Sequence, residues 1–344
     1  MTALIRPGER SEQVADVQAR LRGLGYDIDE EAGFFGAATA TAVRAFQQQR
    51  GLLVDALVGQ ETWSALVEAS WRLGDRSLYL TRPYMRGDDV ALLQARLNAI
   101  GYDAGREDGI FGPDTDLAVR HFQKEYGVAE DGIFGFATLT ALHGLRIDRP
   151  GTAASLREEL RLARPGGIHE AIVVLDPGHG GPDPDDVLEG ELCWDLAHRV
   201  GELLVTYGAR VRFTRHQAEG PDDRERARRA NDAGADAFVS LHLNAHGRES
   251  AEGASTSFFK NSRAGAGLAE NIQQRLVRLG IRDCRSHARS FTLLRETRMP
   301  AVLVEPLFIT NPAEAKRLED PEFRSRLAGA IAEGILGYFE SLRA

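Results

Sequence analysis

The chain has 344 residues, 43% hydrophobic and 27% charged, which suits two or three domains of ordinary soluble protein. A formal net charge of −9 argues against a nucleic-acid or anionic-membrane binder. Two cysteines, Cys193 and Cys284, exclude a disulfide framework and a Cys-rich zinc site.

The N-terminal segment lacks an apolar core of signal-peptide length, and no stretch approaches the roughly 18 apolar residues of a membrane span. The expected location is therefore cytoplasmic. Arginine outnumbers lysine heavily, with only Lys124, Lys260 and Lys316 present, a bias typical of a GC-rich bacterial genome.

The N-terminal part is a tandem duplication. QARLRGLGY (18–26) recurs as QARLNAIGY (94–102), an offset of 76 that holds for Gly33/Gly109, Phe46/Phe122, Gln47/Gln123 and Thr62/Thr138. Residues 18–62 and 94–138 share 21 identities in 45 positions, a degree of likeness that marks repeated modules. Val14, Val17, Leu21 and Leu24, like Val90, Leu93, Leu97 and Ile100, form one apolar helical stripe. Gly25 and Gly101 stop these helices. A second helix is expected after the Gly33–Gly36 turn, capped near Thr39, and a third near Thr62; the second copy repeats the pattern to Thr138. Each copy thus reads as a bundle of about three short helices.

These residues resemble the peptidoglycan-binding domain family. Its pattern, a QxxLxxxGY helix followed by DGxFGxxTxxAVxxFQ and DGxxGxxT, is met almost fully by the second copy. The first departs from it at Ala32, opposite Asp108, and at Ala56, opposite Gly132. The resemblance implies two all-α modules, over 8–70 and 84–143, that bind glycan or wall peptide or serve as spacers. Residues 144–167 read as a linker.

From Ile168 the periodicity changes. Strands are expected at 171–175, 210–213, 237–242 and 301–305, and helices at 192–205, 224–232, 267–279 and 323–342, an alternation that predicts an α/β layer fold with a mostly parallel sheet. Chemistry in such sheets collects beyond the carboxyl ends of the strands. His179 follows the first strand, His242 closes the third, Glu305 ends the last, and Glu191 stands near the start of the first helix. Singly, each has a structural reading: a turn residue, a buried imidazole, a helix-end charge. Together, two imidazoles and a carboxylate suit a catalytic zinc ion with one open position, leaving a second carboxylate for acid–base work. The Arg224–Arg229 run alternates with Glu and Ala as a solvated helix face does, and nucleic acid is set aside.

The stretches VLDPGHGG (174–181), FTR (213–215), RRANDAGADAFVSLHLN (228–244) and MPAVLVEPLFITN (299–311) resemble the N-acetylmuramoyl-L-alanine amidase family of the amidase 3 type. That resemblance covers nearly all of 170–340, within a domain taken as 168–344, and implies a Zn2+ enzyme cutting the amide between N-acetylmuramic acid and L-alanine in peptidoglycan or muropeptides. It implies His179, Glu191 and His242 as metal ligands, with Glu191 preferred over Glu189 because the family's Glu precedes the first core Leu, here Leu196, by five residues. It implies Glu305 as the catalytic group. Two departures stand out: Leu307 where the family has Gly, and the acidic PDPDD segment (182–186) after Gly181. Two modules ahead of an amidase domain, with no export signal, also resemble a group of actinobacterial proteins linked to control of peptidoglycan precursor synthesis. That likeness implies an alternative, a regulator with a precursor-pathway enzyme or flippase-type partner.

Overall fold

The apolar stripes of the two repeats become helices α1 (Glu12–Gly23), α2 (Ala37–Arg50) and α3 (Gln60–Ala69), then α4 (Asp88–Ala99), α5 (Pro113–Glu125) and α6 (Phe136–His143). This is seen in a computed structural model that describes residues 4–143, 167–179, 187–217, 219–260 and 262–342. The chain divides into two units, Met1–Arg157 and Glu158–Ala344. Apart from Gly167, the expected linker lies outside the described residues.

In the first unit each repeat builds its own core. One centres on Val14, Val17, Leu21, Val43 and Phe46, the other on Val90, Leu93, Leu97, Val119 and Phe122. Gly25 and Gly101 take positive φ (91° and 94°) just past α1 and α4, as expected of helix stops. The start of α2 differs from expectation. Gly36 is the cap residue and offers no side chain, so the carboxylate of Glu30 reaches across to accept from the amides of Gly36, Ala38 and Thr39 at 3.1, 2.6 and 3.0 Å. Burial pushes the Glu30 carboxyl up, but bonds from Thr39, Ala38 and Gly36 outweigh it and bring it below its ordinary value.

The repeated Gln, Gly and Thr identities serve as internal pins. Buried Gln94 donates to Asp108, the Ile110 carbonyl and Thr115, while accepting from the Gly109 amide at 2.9 Å. Gln123 does the same with Asp131, Ile133, Thr138 and Gly132. In the first copy Gln18 and Gln47 repeat the arrangement. With Ala at position 32, Gln18 turns instead to the Glu31 carbonyl. Ala56 keeps the amide bond to Gln47 at the cost of a positive φ of 65°. Gln94→Ala strands several buried polar groups, so we expect it to destabilise the second repeat by about 3 kcal/mol, measurable by urea unfolding of the full chain.

The second unit is a six-stranded sheet with helices on both faces. Its strands are β1 (Ile172–Pro177), β2 (Arg210–Phe213), β3 (Ala237–Leu241), β4 (Ala254–Phe259), β5 (Asp283–Arg289) and β6 (Ala301–Glu305), in the order β2-β1-β3-β6-β4-β5. The helices are α7 (Val187–Thr206), α8 (Asp223–Asp232), α9 (Arg263–Arg278), α10 (Thr292–Glu296), α11 (Pro312–Glu319) and α12 (Pro321–Ser341). Pairing is parallel except between β4 and β6. Alternation along the strands separates the faces. Val173, Leu175, Val239 and Val304 pack under α7, α9 and α12, whereas Val174, Phe238 and Leu303 pack against α8 and α10. The sheet is therefore mostly parallel, as expected, with two strands that no apolar pattern announced. Among the described residues, no helix is long and apolar enough to cross a membrane.

Candidate functional site

Strands β1, β3 and β6 are parallel neighbours, so their carboxyl ends form one rim. Asp176 pairs with Ser240 and Pro177 with Leu241, which sets Gly178 and His179 beside His242. The His242 amide donates to the Val304 carbonyl at 3.0 Å, so Glu305 follows at the same level. The expected residues of three strand ends thus share one edge.

Three side chains converge there. Nε2 of His179 lies 3.1 Å from Oε1 of Glu189, and Nδ1 of His242 lies 3.9 Å from the same oxygen. One ligand-type atom from each falls within 4.8 Å of the others. Their side chains are 30%, 12% and 15% exposed for His179, Glu189 and His242, enough for a small ion to enter. The glutamate differs from the one the family resemblance preferred. Glu191 is exposed on α7, and Glu189 takes the place beside the histidines. Residues two apart on a helix point about 200° from each other, so only one can face the rim. Oε1 of Glu189 also accepts from the Leu243 amide at 2.9 Å, which ties α7 to the end of β3.

Glycine is required in the first turn. A Cβ at Gly178 would lie 2.6 Å from Cε1 and Nδ1 of His242, so the ring rests flat against this backbone. His179, the next residue, sits at φ 53°. Among the described residues the His242 ring makes no hydrogen bond, and its Nε2 is buried without a partner. Burial, helped by Arg226, His179 and Arg215, holds the His242 imidazole well below its usual range and keeps it neutral.

Glu305 stands apart from the three-residue cluster. It is half-buried, and its Oε2 accepts from Ser255 Oγ at 3.0 Å. Burial raises its carboxyl; Ser255 and Arg289 pull it back, and the charge of Glu189 pushes it further up. Leu307 does not crowd this corner: it is fully buried in the main core. The Pro-Asp segment at 182–186 lies outside the described residues.

Under the rim lies a buried polar layer whose roles were not read from sequence. Asp176 accepts from Thr214, from Ser240 at 2.6 Å and from Arg226 at 2.8 Å. Arg215 holds the carbonyls of Pro177, Gly178 and Gly190. The FTR and RRAN stretches carried both arginines or their neighbourhood, but a positive charge between two apolar runs does not announce what it bonds.

An α/β sheet with two histidines and a glutamate at its carboxyl rim, and a further carboxylate alongside, defines a hydrolase-type centre able to hold a cation. The family model described as N-acetylmuramoyl-L-alanine amidase matches residues 173–337, and the putative peptidoglycan binding domain matches 10–66 and 86–142. N-acetylmuramoyl-L-alanine amidase CwlM of Mycobacterium tuberculosis is 40% identical over 98% of this chain and 89% of its own length. The germination-specific N-acetylmuramoyl-L-alanine amidase of Bacillus subtilis is 31% identical over 49% of this chain and 79% of its own. A solved N-acetylmuramoyl-L-alanine amidase from Clostridium difficile 630 is 30% identical, covers 50% of this chain and 98% of that one, and gives a TM-score of 0.48. The chain belongs to the N-acetylmuramoyl-L-alanine amidase family.

Proposed function

We propose that the second unit is a zinc-dependent amidase that cleaves the bond between N-acetylmuramic acid and L-alanine in peptidoglycan or muropeptides. His179, Glu189 and His242 hold the ion and Glu305 handles the proton. The two N-terminal modules hold the enzyme on peptidoglycan. The observation that carries this reading is the His–Glu–His cluster at the strand rim, in a chain of this family.

The residues fit the metal. Two imidazoles and one carboxylate are a usual catalytic zinc set, and the neutral His242 ring turns its Nδ1 toward the Glu189 carboxylate without a hydrogen bond to it, a nitrogen free to bind a cation. When bound, zinc polarises the scissile carbonyl and makes water a stronger nucleophile. The protein's own residues do the rest. Glu305 accepts a proton from the attacking water at its carboxylate and delivers it to the departing amine of L-alanine. Ser255 holds that carboxylate in one orientation. Glu189, bonded to the Leu243 amide, keeps α7 in place against β3.

Stripping the protein with a chelator should abolish release of the stem peptide from muropeptides, and added zinc should restore it. Protein that carries zinc yet leaves the lactyl–alanine amide intact would overturn the assignment. Gly178→Ala forces the His242 ring aside. We expect it to lower zinc affinity at least tenfold, roughly the scale seen when a ligand's support is lost, as read by chelator competition.

A further inference from the structure

We infer that Arg215 is a positioning residue for the metal site, fixing the two backbone segments that present His179 and Glu189. This rests on the proposal that His179, Glu189 and His242 hold zinc.

Arg215 is 2% exposed, among the largest fully buried side chains. Among the described residues it forms no ion pair, although its neighbour Arg226 bonds the Asp176 carboxylate. A buried guanidinium without a counter-ion is unfavourable unless its donors are all used. Arg215 directs them at main-chain carbonyls: Nε to Pro177 at 2.8 Å, Nη2 to Gly178 at 2.9 Å and Gly190 at 3.1 Å, Nη1 to Gln217 at 2.9 Å and His216 at 3.2 Å. The Trp194 ring lies against the guanidinium, 5.5 Å from its carbon.

The choice of acceptors is what matters. The Gly178 carbonyl belongs to the peptide whose nitrogen is that of His179, so Arg215 sets the plane from which the histidine departs at φ 53°. The preceding peptide is pinned on both sides, its carbonyl by Arg215 and its N–H by the Leu241 carbonyl at 2.7 Å. Gly190 directly follows Glu189 in α7. One nitrogen, Nη2, therefore bridges the end of β1 to the first part of α7, and the histidine and glutamate it connects sit 3.1 Å apart. This needs a planar fork: a lysine ammonium is a point charge that cannot serve the Pro177, Gly178 and Gly190 carbonyls from one fixed geometry.

The experiment compares full-length wild type, Arg215→Lys, Arg215→Ala and the stability control Leu204→Ala. Leu204 is fully buried on the same helix, fifteen residues and roughly 22 Å from Glu189. Zinc affinity is read by chelator competition and apoprotein stability by thermal unfolding. Arg215→Lys should lose about tenfold or more in zinc affinity, the scale of a lost supporting bond. Arg215→Ala should lose at least as much, and Leu204→Ala should bind zinc as wild type despite a lower melting temperature. Cobalt-loaded Arg215→Lys should also show visible absorption bands altered from those of cobalt-loaded wild type, a readout that general destabilisation does not move. Wild-type affinity and spectrum in Arg215→Lys would overturn the inference, showing that charge alone suffices. Equal loss of affinity in Leu204→Ala would overturn it too. If the wild type binds no zinc, the metal assignment itself fails, an outcome distinct from both.

Discussion

Glu305→Gln should lower amide hydrolysis by roughly three orders of magnitude while leaving zinc content unchanged. Gln is nearly isosteric and can still accept from Ser255, so the change removes proton transfer rather than packing. The same carboxylate should set the acidic limb of the pH profile. Burial holds its protonated form up to higher pH than an ordinary glutamate, and Glu189 adds to this, while Ser255 and Arg289 act in the opposite sense. The base must be ionised to work, so kcat/KM should climb with pH as this carboxyl gives up its proton. Ser255→Ala deletes a bond that favours the charged form. The midpoint should therefore move further up, and activity on the acidic side should fall first. A Glu305→Gln protein within tenfold of wild type, or a Ser255→Ala profile displaced downward, would remove Glu305 from the role of base.

The sequence exposed those parts of the fold whose burial is apolar. Strands β1, β3 and β6 are buried runs rich in Val, Leu and Phe, β2 alternates Arg with half-buried Val211 and Phe213, and all lie where the periodicity places them. Strands β4 and β5 went unread because they are polar: Ser255, Thr256 and Ser257 are buried in β4, and β5 is an edge strand of alternating exposure carrying Arg285, His287 and Arg289. A buried strand of hydroxyls looks like loop until its hydrogen bonds are visible. That gap hid Ser255, the partner of Glu305. The duplicated modules were plain from the offset of 76, yet Gln94 and Gln123 showed themselves as pins only when their acceptors were in place. That His179, His242 and Glu305 would share one rim was legible because parallel strands end side by side. The choice between two glutamates was not, because it turns on where α7 begins. That helix starts at Val187, ahead of the expected 192, and its rotation decides which carboxylate faces inward.

That choice yields a sharp result. Glu189→Ala should reduce zinc affinity by more than the roughly 10–100-fold typical of an outer partner, whereas Glu191→Ala should leave it at the wild-type value. The reason is angular. The two residues lie about 200° apart around α7; Glu189 is turned to the rim within reach of both imidazoles, and Glu191 to solvent. Glu189 has a second task, accepting from the Leu243 amide, so an alanine there loosens the β3–α7 junction as well as removing a ligand. Glu189→Gln separates these effects, since an amide oxygen still accepts from Leu243 but carries no charge for the ion. Affinity lost in both Glu189 variants, with apoprotein stability reduced in Ala and preserved in Gln, identifies the carboxylate itself as the ligand. Affinity lost in Glu191→Ala and kept in Glu189→Gln would reverse the assignment and require α7 to turn by half a revolution when zinc enters.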